Sequence, residues 1–168
     1  AKRNLSGHSN LVQMSFVDTH FPLEFIQNAD DERAGSIRFQ IREIDGDWCL
    51  EILNDGREFT DPDVNTEMDE NEVKKDVRGL CGAGQSPKSP RNHIGFMGVG
   101  FKSIFEISNH VEIHSGEFDF EFNRERAQHQ GDDTPWRIIP FDSPPTPETE
   151  VPTTIDGTDY KTRFVIHL

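Results

Sequence analysis

The stretch that indicates the fold most directly is SIRFQIREIDGDWCLEILNDG, from Ser36 to Gly56. Between Ser36 and Ile44 apolar and polar side chains alternate, which is the pattern of a half-buried β-strand. The apolar positions that share one face are Ile37, Phe39 and Ile41. Asp45-Gly46 is a strong hairpin signal, and Trp48 to Leu53 has the composition of the returning strand. The stretch therefore predicts an antiparallel pair of strands that ends at Asn54-Asp55-Gly56.

Further elements are indicated on both sides of this hairpin. Phe21 to Arg33 predicts a helix, and we expect it to be largely buried because apolar residues cover most of its circumference. Phe101 to Ile107 predicts a short apolar helix. The other predicted strands are Val111–His114, Glu117–Phe122 after a Ser115-Gly116 turn, Trp136–Ile139 and Arg163–Leu168, with a proline-rich loop over 140–152. This order predicts an α+β two-layer sandwich with helices on one face of a mostly antiparallel sheet.

The composition indicates one acidic domain. The chain has 168 residues, with 31 acidic and 17 basic side chains and a net charge of −14, and the acidic stretch Asp61–Asp76 predicts a surface helix running to about Leu80. An acidic surface repels phosphate backbones, so nucleic acid is an unfavourable partner for this domain alone. No apolar run approaches the roughly 20 residues that cross a bilayer, and no leader precedes the first helix. We therefore expect no membrane contact and a cytoplasmic location.

The kinds of charged and metal-binding residues add two expectations. Only six of the 17 basic residues are Lys, and acid-rich, lysine-poor surfaces suit concentrated salt, so we favour a halophilic source over an ordinary acidic protein. Cys49 and Cys81 are far apart and are expected to be reduced, buried thiols. The seven His are scattered along the chain and form no HExxH pattern, so the sequence predicts no zinc site.

The helix segment Leu23–Asp31 carries a polar stripe. Glu24, Asn28 and Asp31 lie at i, i+4 and i+7, so they share one face of the helix. A carboxylate there can take a proton from an attacking water, and an amide oxygen can ligate a hard cation such as Mg²⁺. The alternative is a solvated helix face.

Two other segments have side chains or backbone suited to a ligand. At Asn54-Asp55-Gly56, side-chain oxygens can face a pocket and accept a hydrogen bond from the exocyclic amine of adenine, directly or through water; the alternative is a plain turn. In Ile94–Ser103 three glycines precede the apolar helix, so backbone N–H groups can approach phosphate oxygens and Lys102 can contact them. This spacing is neither a Walker A loop nor a dinucleotide fingerprint, and the alternative is a flexible connector.

Taken in this order, the segments resemble the ATP-binding motifs of the GHKL superfamily, which comprises gyrase, ninety-kilodalton heat-shock chaperones, histidine kinases and MutL. The resemblance runs from about Phe16 to Leu168 and is closest to the sacsin N-terminal ATPase branch. The matching residues are Glu24, Asn28, Ala29 and Asp31 of ExxxNAxD, Gly95, Gly98, Gly100 and Phe101 of GxxGxGF, and Gly157-Thr158 of the last motif. The chain departs from the family at Asn54, where many members have Asp, and at Glu58, which replaces a Gly.

This resemblance implies a Bergerat ATP-binding fold over residues 16–168, after an N-terminal arm over 1–15 and with an ATP lid at about 60–100. It implies that Asn28 holds Mg²⁺ and that Glu24 polarises the hydrolytic water. The nucleotide-binding residues it implies are Asn28, Asp31, Asn54, Asp55, Gly56, Gly95, Gly98, Val99, Gly100, Phe101, Lys102 and Thr158.

The implied function is slow ATP hydrolysis, with lid closure coupled to conformational change in a larger chaperone-like protein. Such a parent protein would form a homodimer and act on a client protein that the sequence does not identify. The alternatives are a nucleotide-sensing module without hydrolysis, a kinase of the histidine-kinase branch, and the ATPase domain of a DNA-processing or defence system.

Overall fold

In a computed structural model, the described residues are 21–59, 101–131, 135–137 and 139–168. Their elements are α1 (Phe21–Asp31), β1 (Ile37–Ile44), β2 (Asp47–Asn54), a 3-10 helix (Phe101–Glu106), β3 (His110–Ser115), β4 (Phe118–Asn123), α2 (Arg124–Gln130), β5 (Phe141–Asp142), β6 (Thr153–Ile155), β7 (Thr158–Tyr160) and β8 (Thr162–His167). Six strands form one sheet in the order β1-β2-β8-β3-β4-β5, and β6 and β7 form a separate two-stranded sheet. All of these pairings are antiparallel. The described residues combine an antiparallel sheet with a few helices, which agrees with the predicted α+β class.

The predicted hairpins are confirmed. Asp45 and Gly46 have positive φ values of 51° and 93°, as a tight hairpin turn requires, and they join β1 to β2. The second hairpin joins β3 to β4 through Gly116, whose φ is 60°. The predicted closing strand is β8, and it lies between β2 and β3 near the centre of the sheet.

An aromatic core fixes α1 and the 3-10 helix on one face of the sheet. The ring of Phe164 on β8 lies 4.9 Å from that of Phe25 on α1 and 5.9 Å from that of Phe101 in the 3-10 helix. Phe105 and Phe122 extend the cluster at ring separations of 5.5–6.0 Å. Burying a Phe side chain is worth about 1.5–3 kcal/mol, and edge-to-face contacts add to it. The cluster therefore fixes the position of the helix that carries Glu24 and Asn28.

Less of α1 and β1 is buried than the sequence pattern predicts. On α1, Leu23 and Ile26 are 55% and 43% exposed, because the core contacts only the stripe of Phe21, Phe25 and Ala29. The expectation of a largely buried helix was wrong. On β1, Ile41 is 63% exposed, since this strand is at the edge of the sheet.

Other parts of the secondary structure differ from the prediction. Trp136 and Arg137 form a turn in place of a strand, and the Trp136 ring packs 5.0 Å from Phe105. The predicted helix at Phe101 is a six-residue 3-10 helix. Helix α2 and the β6–β7 hairpin were not predicted. The predicted N-terminal arm, the acidic helix and the lid lie outside the described residues.

A buried charge network lies on the sheet face opposite α1. Glu51 of β2 is 0% exposed, and its carboxylate lies 2.5 Å from Nε of Arg42 and 3.6 Å from Nε of Arg163. Both arginines also donate to the backbone carbonyl of Glu148. The hydrogen bond to Glu51 raises the pKa of Arg42, whereas burial lowers the pKa of Arg163. Removing one side chain of this network would therefore leave a buried charge without its opposite partner.

Candidate functional site

A small pocket lies where α1, the end of β2, the 3-10 helix and the start of β8 meet. Its described lining consists of Phe25, Asn28, Ala29, Glu32, Asn54, Arg57, Phe59, Phe101, Thr162 and Phe164. The pocket encloses about 20 Å³, which is room for about one water molecule. A ligand larger than water therefore requires the walls of this pocket to move.

Asn28 contributes an unpaired oxygen to this pocket. Its side-chain Oδ1 is buried and has no hydrogen-bond partner in the described part of the chain. An unsatisfied buried acceptor costs about 1–3 kcal/mol, so a ligand that meets this oxygen restores stability. An amide oxygen is also a ligand atom that Mg²⁺ can bind. The side chain at this position therefore fits the metal that the sequence predicts there, through one ligand atom.

Of the two predicted adenine-reading side chains, Asn54 lines the pocket and Asp55 does not. Asp55 Oδ1 accepts a hydrogen bond of 2.8 Å from the backbone N–H of Ser36, so this carboxylate fixes the turn to the chain before β1. Asn54 Oδ1 accepts from the backbone N–H of Gly56 at 3.1 Å. An amide oxygen has a second lone pair, which leaves Asn54 able to accept from a ligand as well.

Gly56 brings the turn after β2 against the end of α1. A Cβ atom at this position would lie 2.9 Å from the backbone oxygen of Glu32 and 3.1 Å from Asn54 Oδ1. The same Glu32 oxygen accepts from the backbone N–H of Arg57 at 3.0 Å, and the two side chains form a salt bridge of 2.7 Å. A glycine is therefore required where the first two motifs meet.

Besides Asp55, the pocket lining lacks the predicted side chains of Glu24, Asp31 and Thr158. Glu24 is half-buried on α1 but does not line the pocket, and Asp31 is exposed at the end of α1. Thr158 pairs with Ile155 in the β6–β7 hairpin and is not among the residues that line the pocket. Thr162 lines the pocket instead, because the β2–β8 register places it opposite Asn54.

Of the glycine-rich segment Ile94–Ser103, the structure describes only residues 101–103. Gly95, Gly98, Val99 and Gly100 lie outside the described residues. Phe101 is 1% exposed and forms both a pocket wall and part of the aromatic core. Lys102 follows it in the 3-10 helix and is half-buried.

A second group of polar side chains was missed by the sequence analysis. His110, Glu112 and His114 alternate along β3 and lie on the sheet face opposite α1, beside His167 of β8. His110 and His114 have the HxxxH spacing, which the sequence analysis overlooked. The strand spacing H-x-E-x-H, which places alternate side chains on one face, is the signal that would have found the first three.

Comparison with known proteins gives one partial similarity. Protein NO VEIN of Arabidopsis thaliana is 35% identical over 117 residues, which are 66% of this chain. The chain spans about 4% of the length of NO VEIN. No protein-family model matches the chain. The similarity therefore concerns one short part of a much longer protein.

None of the helices in the described ranges is long and apolar enough to span a membrane.

Proposed function

We propose that this chain is the ATP-binding domain of a GHKL-type protein of the sacsin-like branch, with the Bergerat arrangement of helix and sheet. It binds ATP with Mg²⁺ and hydrolyses it slowly. The observation that carries the proposal is the buried, unpaired Oδ1 of Asn28 in the pocket. The resemblance to GHKL proteins implies that this atom is a magnesium ligand. Among the described residues, no protein group forms a hydrogen bond with it.

The arrangement around Asn28 supports the same proposal. Asn54 faces the pocket from β2 and Thr162 from β8, so hydrogen-bonding groups converge from three elements. The Gly56 turn joins α1 to the end of β2 without a side chain in between. Pockets for small molecules combine such convergent polar groups with apolar walls, here those of Phe25 and Phe101.

The proposed roles of the residues follow from their positions. Asn28 and the phosphates hold Mg²⁺, which when bound offsets the charge of the triphosphate. Glu24 lies one helical turn before Asn28, within reach of a water near the terminal phosphate once the pocket opens. Asn54 accepts from the adenine amine. Closure of the lid over residues 60–100 and its coupling to a larger protein, a homodimer or a client stay predictions.

Calorimetric titration of the chain with ATP, with and without MgCl₂, tests the role of Asn28. We expect Asn28→Ala to lose at least tenfold in affinity in the presence of Mg²⁺, because the metal loses its protein ligand. Gln27→Ala removes the neighbouring amide of α1, which does not line the pocket, and should bind as the wild type does. Equal affinities of the two variants would refute the assignment.

The hydrolysis step is tested separately, by phosphate release. Glu24→Ala should abolish the slow hydrolysis and leave ATP binding intact, whereas Asp30→Ala, which removes an exposed carboxylate of the same helix, should do neither. Hydrolysis at the wild-type rate in Glu24→Ala would exclude Glu24 as the base.

A nucleotide-sensing module without hydrolysis is the second candidate. It is favoured by one observation, that Glu24 does not line the pocket. ATP binding to the wild-type chain, with no phosphate release from the full-length protein that contains it, would favour this candidate over the first.

A further inference from the structure

Two imidazoles and a carboxylate converge on the face of the sheet opposite α1. The rings of His110 on β3 and His167 on β8 are stacked, with centroids 3.9 Å apart and planes 10° from parallel. Glu112 Oε1 lies 2.6 Å from Nε2 of His167 and 3.9 Å from Nε2 of His110. Nε2 of His167 therefore contacts Glu112 directly, and Nε2 of His110 lies near the same carboxylate while it contacts Glu121 Oε2 at 2.5 Å.

We propose that His110, Glu112 and His167 bind a divalent transition metal ion such as zinc. Imidazole nitrogen and carboxylate oxygen are ligands that zinc uses, and three protein ligands with a water complete a tetrahedral site. This site is separate from the ATP site, because the alternation of β8 places His167 and Phe164 on opposite faces of the sheet.

The distances fit a site that needs only small side-chain rotations. The three ligand atoms lie within 4.8 Å of one another. In tetrahedral zinc with bonds of about 2.0–2.1 Å, the ligand atoms are about 3.3 Å apart. Each separation is therefore within about 1.5 Å of the required value. Rotation of the two rings out of their parallel stack supplies this change, while the paired strands keep the Cα positions fixed.

The charges around the cluster favour a cation. Glu112 of β3 is directly opposite Glu121 of β4, and like charges in opposed positions destabilise a sheet. Glu121 Oε2 lies 2.5 Å from Nε2 of His110, so both carboxylates approach the histidine pair. Arg126 offsets the charge of Glu121 through a contact of 2.7 Å, and a divalent cation bound to Glu112 would offset the other carboxylate.

The neighbours of the cluster orient the ligands and leave a path to solvent. Nδ1 of His167 lies 3.6 Å from the Cys49 sulfur, and His114 lies 2.8 Å from Asp119 through Nδ1 and 3.4 Å from Glu112 through Nε2. Contacts of this kind fix the orientation of ligand side chains in metal sites. The side chains of His110, His167 and Glu112 are 29%, 17% and 13% exposed, so an ion can reach them.

The test is calorimetric titration of the EDTA-treated, dialysed 168-residue chain with ZnCl₂. We expect one zinc per chain, with at least about a hundredfold loss of affinity in His110→Gln and His167→Gln, since the loss of even an outer-shell partner costs about 10–100-fold. His129→Gln is the control, because His129 is exposed on α2. Asn28→Ala should bind zinc like the wild type, because Asn28 belongs to the pocket on the other face of the sheet. A failure of the ATP proposal would therefore not count against the zinc site.

The proposal is overturned if the chain binds no stoichiometric zinc, or if the two Gln variants bind it as tightly as His129→Gln. Should a Gln variant fail to fold, as judged by circular dichroism, zinc-edge anomalous diffraction from wild-type crystals decides. A peak between His110, Glu112 and His167 supports the site, and a zinc peak elsewhere or none at all refutes it.

Discussion

Replacing Gly56 with alanine tests whether the turn after β2 needs a residue without a side chain. The new Cβ would lie 2.9 Å from the backbone oxygen of Glu32, whereas ordinary contact begins at about 3.4 Å. About half an ångström of movement is thus required of a backbone atom that also accepts the 3.0 Å hydrogen bond from Arg57 N–H.

The cost can be estimated from these contacts. Overpacking in a well-packed site costs about 1–3 kcal/mol, and a weakened hydrogen bond adds up to about 1.5 kcal/mol. We therefore expect Gly56→Ala to lower the free energy of unfolding by about 2 kcal/mol or more. For a domain of this size such a loss corresponds to a fall of about 4–8 °C in Tm.

Urea unfolding followed by circular dichroism measures this loss, and Gly35→Ala is the matched control. A Cβ at Gly35 would meet only Asp55 Oδ2, at 3.5 Å, so this variant should stay within about 1 kcal/mol of the wild type. If Gly56→Ala is as stable as Gly35→Ala, the close packing of the turn against α1 is wrong.

Three further predictions concern other features. Glu51→Ala should lower the free energy of unfolding by about 3–5 kcal/mol, because it leaves Arg163 buried without its carboxylate; a urea-unfolding loss below about 1 kcal/mol would contradict this. In a Cys81→Ser background, Cys49 should react with a thiol reagent at pH 8 only after unfolding, because it is 0% exposed, and burial together with nearby carboxylates raises its thiol pKa to about 11; rapid labelling of the folded protein would refute it. Stability and ATP affinity should persist as NaCl rises into the molar range, and a steady decline of both would exclude the halophilic interpretation.

The parts of the fold that depend on local chemistry were predictable from the sequence. Asp45-Gly46 and Ser115-Gly116 specify their turns through backbone conformations that few residues adopt, and the alternation of the flanking residues specifies the strands. Trp136 to Ile139 was predicted to be a strand. The ring of Trp136 instead packs on Phe105, a contact that no local pattern contains.

The candidate sites were predictable only as far as their residues lie close together in the sequence. Asn28 and Asn54 were found from their motifs, and both line the pocket. Thr162 was not predicted to line the pocket, because the register of β8 against β2 is a long-range property. The histidine cluster was missed for the same reason, since the pairing of β3 with β8 brings His167 to His110.

The central position of β8 also has a consequence for synthesis on the ribosome. Among the strands that the structure describes, β8 alone joins the β1–β2 hairpin to the rest of the six-stranded sheet, and it follows all the others in the chain. Until residues 162–167 leave the exit tunnel, β2 and β3 each keep an open edge of unpaired backbone groups. Such edges can pair with other nascent chains. The interval between translation of β3 and translation of β8 is therefore the period in which this protein is most prone to aggregate.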